Sequence, residues 1–269
     1  MSINIGIFGA GRFASAIAAE AMSMANLDRH VIDDEQFVIS WMLHRGEAVP
    51  PKPVDVVIDA SNGSAVREHL DWALETETQL VIGATGWNIP DIEEKIGEKI
   101  GVLISPNFSF AVAMMQRFAV DMAKFSDWYG EGDLIVFEHH HSGKKDAPSG
   151  TARSIASTII GASRRYHAWS LSGSDPNILP ITSLRAGSEV GIHELVFDAP
   201  HERFSIIHQA RDRSLFAYGA LKGVRWILHR KGTYYMNDML DDLINREGER
   251  DHNHDKRDRQ FKRRHCNAV

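Results

Sequence analysis

The feature that most limits what this chain can fold into is a glycine turn near its start. The apolar run INIGIF at residues 3–8 stops at Gly9-Ala10-Gly11, and a helical pattern follows at once. Phe13, Ile17, Ala18 and Met22 recur there at helix spacing. Gly9-Ala10-Gly11-Arg12-Phe13-Ala14 is therefore a GxGxxA turn between a strand and a helix. The first glycine permits the tight bend, the second lets backbone N–H groups approach a pyrophosphate, and a small third residue lets helix and strand pack. Phosphate then meets the positive end of the helix. The expected ligand is a dinucleotide held by Gly9, Gly11, Arg12 and Phe13.

Further segments extend this start into a doubly wound pattern. Strands are expected at Phe37–Leu43, Val54–Asp59, Leu80–Ile82 and Val102–Ser105, with a helix over 64–76. Alternation of strands and helices through short turns argues for a parallel sheet. After about residue 110 the texture changes. A helix rich in Ala and Met covers Ala111–Phe125, a strand Leu134–Glu138 and a helix Ser149–Ile160. Longer β-like runs follow at Ile181–Leu184, His193–Phe197 and Phe204–His208, and the last mixes apolar and polar positions as an open sheet does. Residues 214–229 return to a helical pattern. The expected class is α/β. A Rossmann-like dinucleotide-binding domain takes 1–110 and 214–245, and an α+β domain with an open mixed sheet takes 111–213. Residues 246–269 carry many charges and few apolar groups, as a solvated tail does.

Composition narrows the function. The chain has 269 residues, 43% hydrophobic and 25% charged, with a net charge of −6, so bulk electrostatics do not favour nucleic acid. Its one cysteine, Cys266, allows neither an internal disulfide nor a thiolate metal cluster. The N-terminus lacks the basic region and small-residue cleavage site of a signal peptide. No apolar run reaches the roughly 18–20 residues of a membrane span. A cytoplasmic protein without nucleic-acid or membrane partners is expected.

Residues 138–152, EHHHSGKKDAPSGTA, pack imidazoles, lysines and a Pro-Ser-Gly-Thr turn into one short stretch. No metal is expected there. Successive residues on a strand point to opposite faces, so His139, His140 and His141 chelate one ion poorly. A stacking aromatic for nucleic acid is also missing. A catalytic loop for a small anion accounts for the residue types best. The free N–H groups and hydroxyls at Ser149, Gly150 and Thr151 offer a carboxylate site at a helix start. Lys144 and the imidazoles can neutralise an anion and deliver a proton near neutral pH. At the end of the second strand, Arg45 suits the 2′-phosphate of NADP, while Glu47 keeps NAD open. NADPH is the preferred cofactor and NADH the alternative.

These segments together resemble the dihydrodipicolinate reductase family. Its run E-x-H-H-x-x-K-x-D-x-P-S-G-T reads here from Glu138 to Thr151. Val81-Ile82-Gly83-Ala84-Thr85-Gly86 resembles V-I-G-T-T-G, and Ser105-Pro106-Asn107-Phe108-Ser109 resembles A-P-N-F-S. Arg185-Ala186-Gly187 through Gly191 and His193 resembles R-x-G-x-x-x-G-x-H, and Phe216-Ala217-Tyr218-Gly219-Ala220 resembles the closing helix. The resemblance spans about residues 3–243. It implies that His140 is the proton donor and Lys144 the second essential cation. It also implies that His141, Ser149, Gly150, Thr151, Thr85 and Arg213 hold a small di-anionic cyclic imine. Gly83, Thr85, Ser105, Asn107 and Phe108 then line the nicotinamide side, and the second domain's sheet builds a homotetramer. The implied activity is NAD(P)H-dependent reduction of dihydrodipicolinate, or its hydroxylated precursor, to tetrahydrodipicolinate in lysine and diaminopimelate synthesis.

The departures from the family pattern gather on the cofactor side. The glycine turn is one residue shorter than G-x-x-G-R-M-G, Ala14 replaces the third glycine, and Ala84 replaces a threonine. Asp59-Ala60-Ser61-Asn62 replaces D-F-[ST]-x-P. Two alternatives keep their place beside the main reading: a divergent reductase of a related cyclic imine acid, and an NADP-binding regulator without turnover.

Overall fold

The structure is a computed structural model that describes residues 2–26, 36–48, 54–173 and 175–245. Its strands are β1 (Ser2–Phe8), β2 (Gln36–Leu43), β3 (Val56–Asp59), β4 (Gln79–Ile82), β5 (Gly101–Ile104), β6 (Asp133–His140), β7 (Ala168–Ser170), β8 (Ile178–Arg185), β9 (Ile192–Asp198), β10 (Arg203–Gln209) and β11 (Gly232–Tyr235). Its helices are α1 (Arg12–Asn26), α2 (Val66–Glu75), α3 (Ile92–Ile96), α4 (Phe110–Tyr129), α5 (Gly150–Ala162) and α6 (Ser214–Ile227). Residues 236–245 are also helical. The tail expected over 246–269 lies outside the described residues.

The first sheet is parallel throughout, in the order β11-β5-β4-β3-β1-β2. Every residue of β3 and β5 is buried. Helices cover both faces, so these strands are nearly continuous apolar runs. Ala14, Ile17, Leu221, Val224 and Met239 pack on one face, and Leu70, Ala73, Ile92 and Ile96 on the other. The strand order reverses between β1 and β3, and Gly9 sits at that crevice. Its N–H donates to Leu43 O at 3.0 Å, and the Ala60 N–H donates to Phe8 O at 2.9 Å. These bonds tie the ends of β1, β2 and β3 around the turn. Gly9 has φ +105°, and a Cβ there would stand 2.7 Å from Ala60 O. Fully buried Ala14 fills the small third position that helix–strand packing requires.

The second sheet has the order β10-β9-β6-β8-β7 and is mixed. β6 pairs antiparallel with β9 and parallel with β8. Burial alternates along β6, so Leu134, Val136, Glu138 and His140 share the core face. Helices α4 and α5 cover that face. Ser109 caps α4 by accepting from the Val112 N–H at 3.2 Å, and Ser149 caps α5 by accepting from the Ala152 N–H at 3.1 Å. The opposite face is open, with Leu184 51% and Ile207 63% exposed.

The structure corrects several expected elements. Helix α4 runs on to Tyr129 because apolar spacing continues past Phe125 to a glycine cap, Gly130, at φ +78°. Strand β6 runs on to His140, since His139 and His140 still pair with β8. Strand β11 was not expected from the sequence and pairs with β5 at the sheet's far edge. It returns the chain to the first sheet after the second is complete. Gly219 of α6 lies against the backbone of Phe108, where an added Cβ would stand 1.9 Å from Phe108 O. That contact gives the glycine in Phe216–Ala220 its physical reason.

Candidate active site

Two groups of residues meet where the segment after β5 reaches the start of α5. The first lines a cleft of ≈ 460 Å³ that includes Arg12, Phe13, Gly83, Asn107, Thr151 and Arg213. Arg12 and Phe13 open α1, Thr151 lies in the first turn of α5, and Gly83, Asn107 and Arg213 stand on connections. Gly83 has no room for a side chain, because a Cβ would lie 2.7 Å from the Phe13 ring. At Gly11 a Cβ would meet nothing within 4 Å, so the backbone there faces open space at the start of α1. An open glycine backbone, a helix N-terminus and two arginines fit a dinucleotide's phosphates. The Phe13 and Phe108 rings lie 6.1 Å apart beside Gly83.

The second group lies on the core face of the second sheet. Glu138, His140 and His193 are 3%, 8% and 5% exposed. Glu138 Oε1 accepts from the Ser149 N–H at 2.9 Å, Ser183 Oγ at 2.7 Å and Arg185 Nη2 at 2.6 Å. Burial by itself would raise the Glu138 pKa, but the donors from Ser149, Arg185 and Ser183 outweigh it and hold the carboxyl at about 2. Burial drives the His193 imidazole down to about 4, with neighbouring His140 adding to the effect. Burial also lowers His140. The Glu138 and Asp146 carboxylates oppose that shift, whereas Lys144 and Arg185 reinforce it. Lys144 Nζ lies 2.8 Å from Asp146 Oδ1 on the loop after β6.

One short segment joins the two groups. Ser149 Oγ is 3.2 Å from His193 Nε2. Two residues on, Thr151 Oγ1 accepts from Asn107 Nδ2 at 3.2 Å in the cleft wall. A second link is weaker, with Ser109 Oγ 3.5 Å from His208 Nε2.

The candidate residues divide accordingly. Arg12, Phe13, Gly83, Asn107, Phe108, Thr151 and Arg213 come together in the cleft. His140 and Ser149 belong to the buried polar group. Thr85 is exposed two residues beyond Gly83, and Arg45 is exposed on the turn after β2. Gly150 opens α5, and the His141 N–H donates to Glu189 O at 2.7 Å. Two expectations need correction. The Ser149 N–H is not free for a ligand, because Glu138 accepts it. Buried Ser105 turns its hydroxyl to Asn107 O at 2.6 Å, so it braces the turn under the cleft.

Glu138, Arg185 and His193 were not singled out as site residues. Glu138 carried a signal in the sequence, since it holds a charge at the strand parity of Leu134 and Val136. Arg185 and His193 carried none beyond their place in a family segment, because only strand pairing brings them beside Glu138. Glu138, His140 and His193 offer ligand atoms within 4.8 Å of one another. Arg185 on the same carboxylate and Lys144 nearby repel a dication, so the charge balance favours a proton-handling group over a metal.

Two family models match the chain in succession. Residues 3–108 match the family model described as dihydrodipicolinate reductase, N-terminus, and residues 111–240 match the model for its C-terminus. A 4-hydroxy-tetrahydrodipicolinate reductase of Magnetococcus marinus is 34% identical over 200 residues, covering 70% of this chain and 74% of the relative. One from Syntrophobacter fumaroxidans is 36% identical over 199 residues, covering 70% and 73%. Dipicolinate-bound dihydrodipicolinate reductase from a Paenisporosarcina species shares the fold with a TM-score of 0.69 at 21% identity, over 87% of this chain and 98% of that one. The chain belongs to the dihydrodipicolinate reductase family.

Proposed function

We propose that this chain is a 4-hydroxy-tetrahydrodipicolinate reductase of lysine and diaminopimelate synthesis, acting on dihydrodipicolinate or its hydroxylated precursor. The observation that carries the reading is the Ser149–Thr151 segment. It touches the buried imidazole group at one end and the nucleotide cleft at the other. Bound nicotinamide supplies the hydride. His140 gives a proton to the reduced ring, then regains one from solvent. Lys144 and Arg213 offset the substrate's charge, and the N–H groups of Gly150 and Thr151 offer a carboxylate site at the start of α5. His141 and Thr85 complete the substrate contacts.

NADPH is the preferred cofactor in this reading. Glu47 already accepts from the His44 N–H at 2.8 Å, so its carboxylate closes its own turn. Arg45 stays exposed for a 2′-phosphate. Exposed Leu184 and Ile207 on the open sheet face support self-association to a homotetramer. No helix among the described residues is long and apolar enough to cross a membrane. We assign the enzyme to the cytoplasm.

The test is turnover of NADPH and NADH by the purified protein. Substrate is made in place from pyruvate and aspartate semialdehyde by the synthase that precedes this step. His140→Gln should lower kcat about 10²-fold or more with modest change in KM. Lys144→Ala should lower kcat and raise the substrate KM together. Near wild-type kcat in both variants would overturn the assignment. Nucleotide binding without turnover in the wild type would favour the regulator, and turnover only with another cyclic imine acid would favour the divergent reductase.

A further inference from the structure

The two oxygens of Glu138 have unlike surroundings. Oε1 accepts from Ser149, Ser183 and Arg185, and these bonds hold β6 to β8 and to the start of α5. Oε2 is buried without a hydrogen bond, and so is His140 Nδ1. The two atoms lie 3.3 Å apart. They are side chains two residues apart on one strand face, so a small ring rotation would align them. If the carboxylate served only to anchor strands, Oε1 would do all the work. Oε2 would then be left buried beside an equally unpartnered nitrogen, which is unfavourable.

We infer that Glu138 is a positioning residue for His140, its Oε2 accepting the Nδ1–H so that Nε2 is the atom offered to substrate. The inference rests on the proton-donor role proposed above for His140. Sheet register makes the arrangement rigid. Ser183, Glu138, His193 and His208 form one cross-strand row on β8, β6, β9 and β10. Gly191 leaves space on the other side of the ring, since a Cβ there would stand 3.0 Å from His140 Nε2. A carboxylate held from behind orients an imidazole and favours its charged form.

The charged and titratable groups around His140 are Glu138 on its own strand, Lys144 and Asp146 on the following loop, Arg185 on β8 and His193 on β9. Lys144 and Arg185 disfavour the imidazolium, while Glu138 and Asp146 favour it. Asp146 is exposed and paired with Lys144, so Glu138 is the buried anion within reach. A general acid works below its own pKa, and kcat falls as pH rises through it. Loss of the Glu138 charge lowers that pKa, so the fall should begin at lower pH.

The experiment is the pH profile of kcat for wild type, Glu138→Gln, Ser183→Ala and His140→Gln. Glu138→Gln should lower kcat tenfold or more near neutral pH and move the basic limb at least one pH unit lower. Part of the loss should then return in mild acid, with the NADPH KM within about twofold of wild type. Ser183→Ala removes an Oε1 donor and should lower Tm with the limb in place. An unmoved limb in folded Glu138→Gln, beside an inactive His140→Gln, would reduce Glu138 to an anchor. So would an equal limb shift in Ser183→Ala. If Glu138→Gln does not fold, nitrogen-15 NMR of the wild type decides, with His140→Gln used for assignment. The neutral ring should carry its proton on Nδ1, and a bare Nδ1 overturns the inference. A fully active His140→Gln would instead strike at the proton-donor reading itself.

Discussion

The two sheets bury opposite kinds of residue. β3 and β5 of the first are apolar on both faces but for Asp59, and the cleft residues stand on loops and helix starts beyond the strand ends. The second sheet carries Glu138, His140 and His193 within its strands, on the face that also holds Leu134 and Val136. A parallel sheet covered on both sides leaves polar chemistry only at its edges and ends. A sheet covered on one face can hold a buried charged group if strand neighbours satisfy it. Glu138 is satisfied from β8 and from the start of α5. The first sheet thus separates stability from function, and the second joins them.

The largest expected effect tests that separation. Leu80 is fully buried in the first sheet's core. Leu80→Ala should cost about 2–5 kcal/mol in denaturant melts, with kcat per folded molecule near wild type. A comparable loss of kcat would join stability to function in the first sheet as well.

The next effect is confined to the second sheet and depends on pH. The His193 pKa falls from 6.5 in the unfolded chain to about 4 in the fold, and that of Glu138 from 4.5 to about 2. Both folded values are depressed, so both groups stabilise the fold above their unfolded pKa. The His193 share should be lost as pH falls from 6.5 through 4, and the Glu138 share as it falls from 4.5 through 2. At 1.36 kcal/mol per unit, each share is on the order of 3 kcal/mol. Thermal melts from pH 7 to pH 3 should show the decline. His193→Gln should flatten its upper part, and an unchanged slope in that variant would remove His193 from the account.

The smallest effect sharpens the comparison on the loop side. Arg45→Ala should raise the NADPH KM about tenfold and leave the NADH KM and both kcat values nearly alone, as loss of one exposed phosphate contact would. Steady-state kinetics with each cofactor checks it. Equal effects on the two cofactors would detach Arg45 from the 2′-phosphate.

Local patterns made much of the first sheet readable. The β1 turn, the spacing of Phe13, Ile17 and Met22, and the apolar runs of β3 to β5 each follow from neighbours in the chain. The expectation of a proton-handling site came from the run Glu138 to Thr151, through residue types and spacing alone. Strand β11 was not readable, since GTYY is short and gains its meaning only beside Gly101–Ile104. The partners of Glu138 were hidden for the same reason. Arg185 and His193 lie some fifty residues away and arrive by pairing across β8 and β9.

The sequence by itself determined the glycine turn, the alternation of strands and helices, and the residue types of the run from Glu138 to Thr151. These depend on backbone sterics and on side-chain periods that operate within a few residues. Tertiary structure alone decided that the Ser149 N–H serves Glu138 instead of a ligand and that Thr151 reaches Asn107. It also decided that an unpartnered carboxylate oxygen faces His140 Nδ1. Those outcomes depend on strand register, in which one residue of slip would turn every side chain of β6 to the other face.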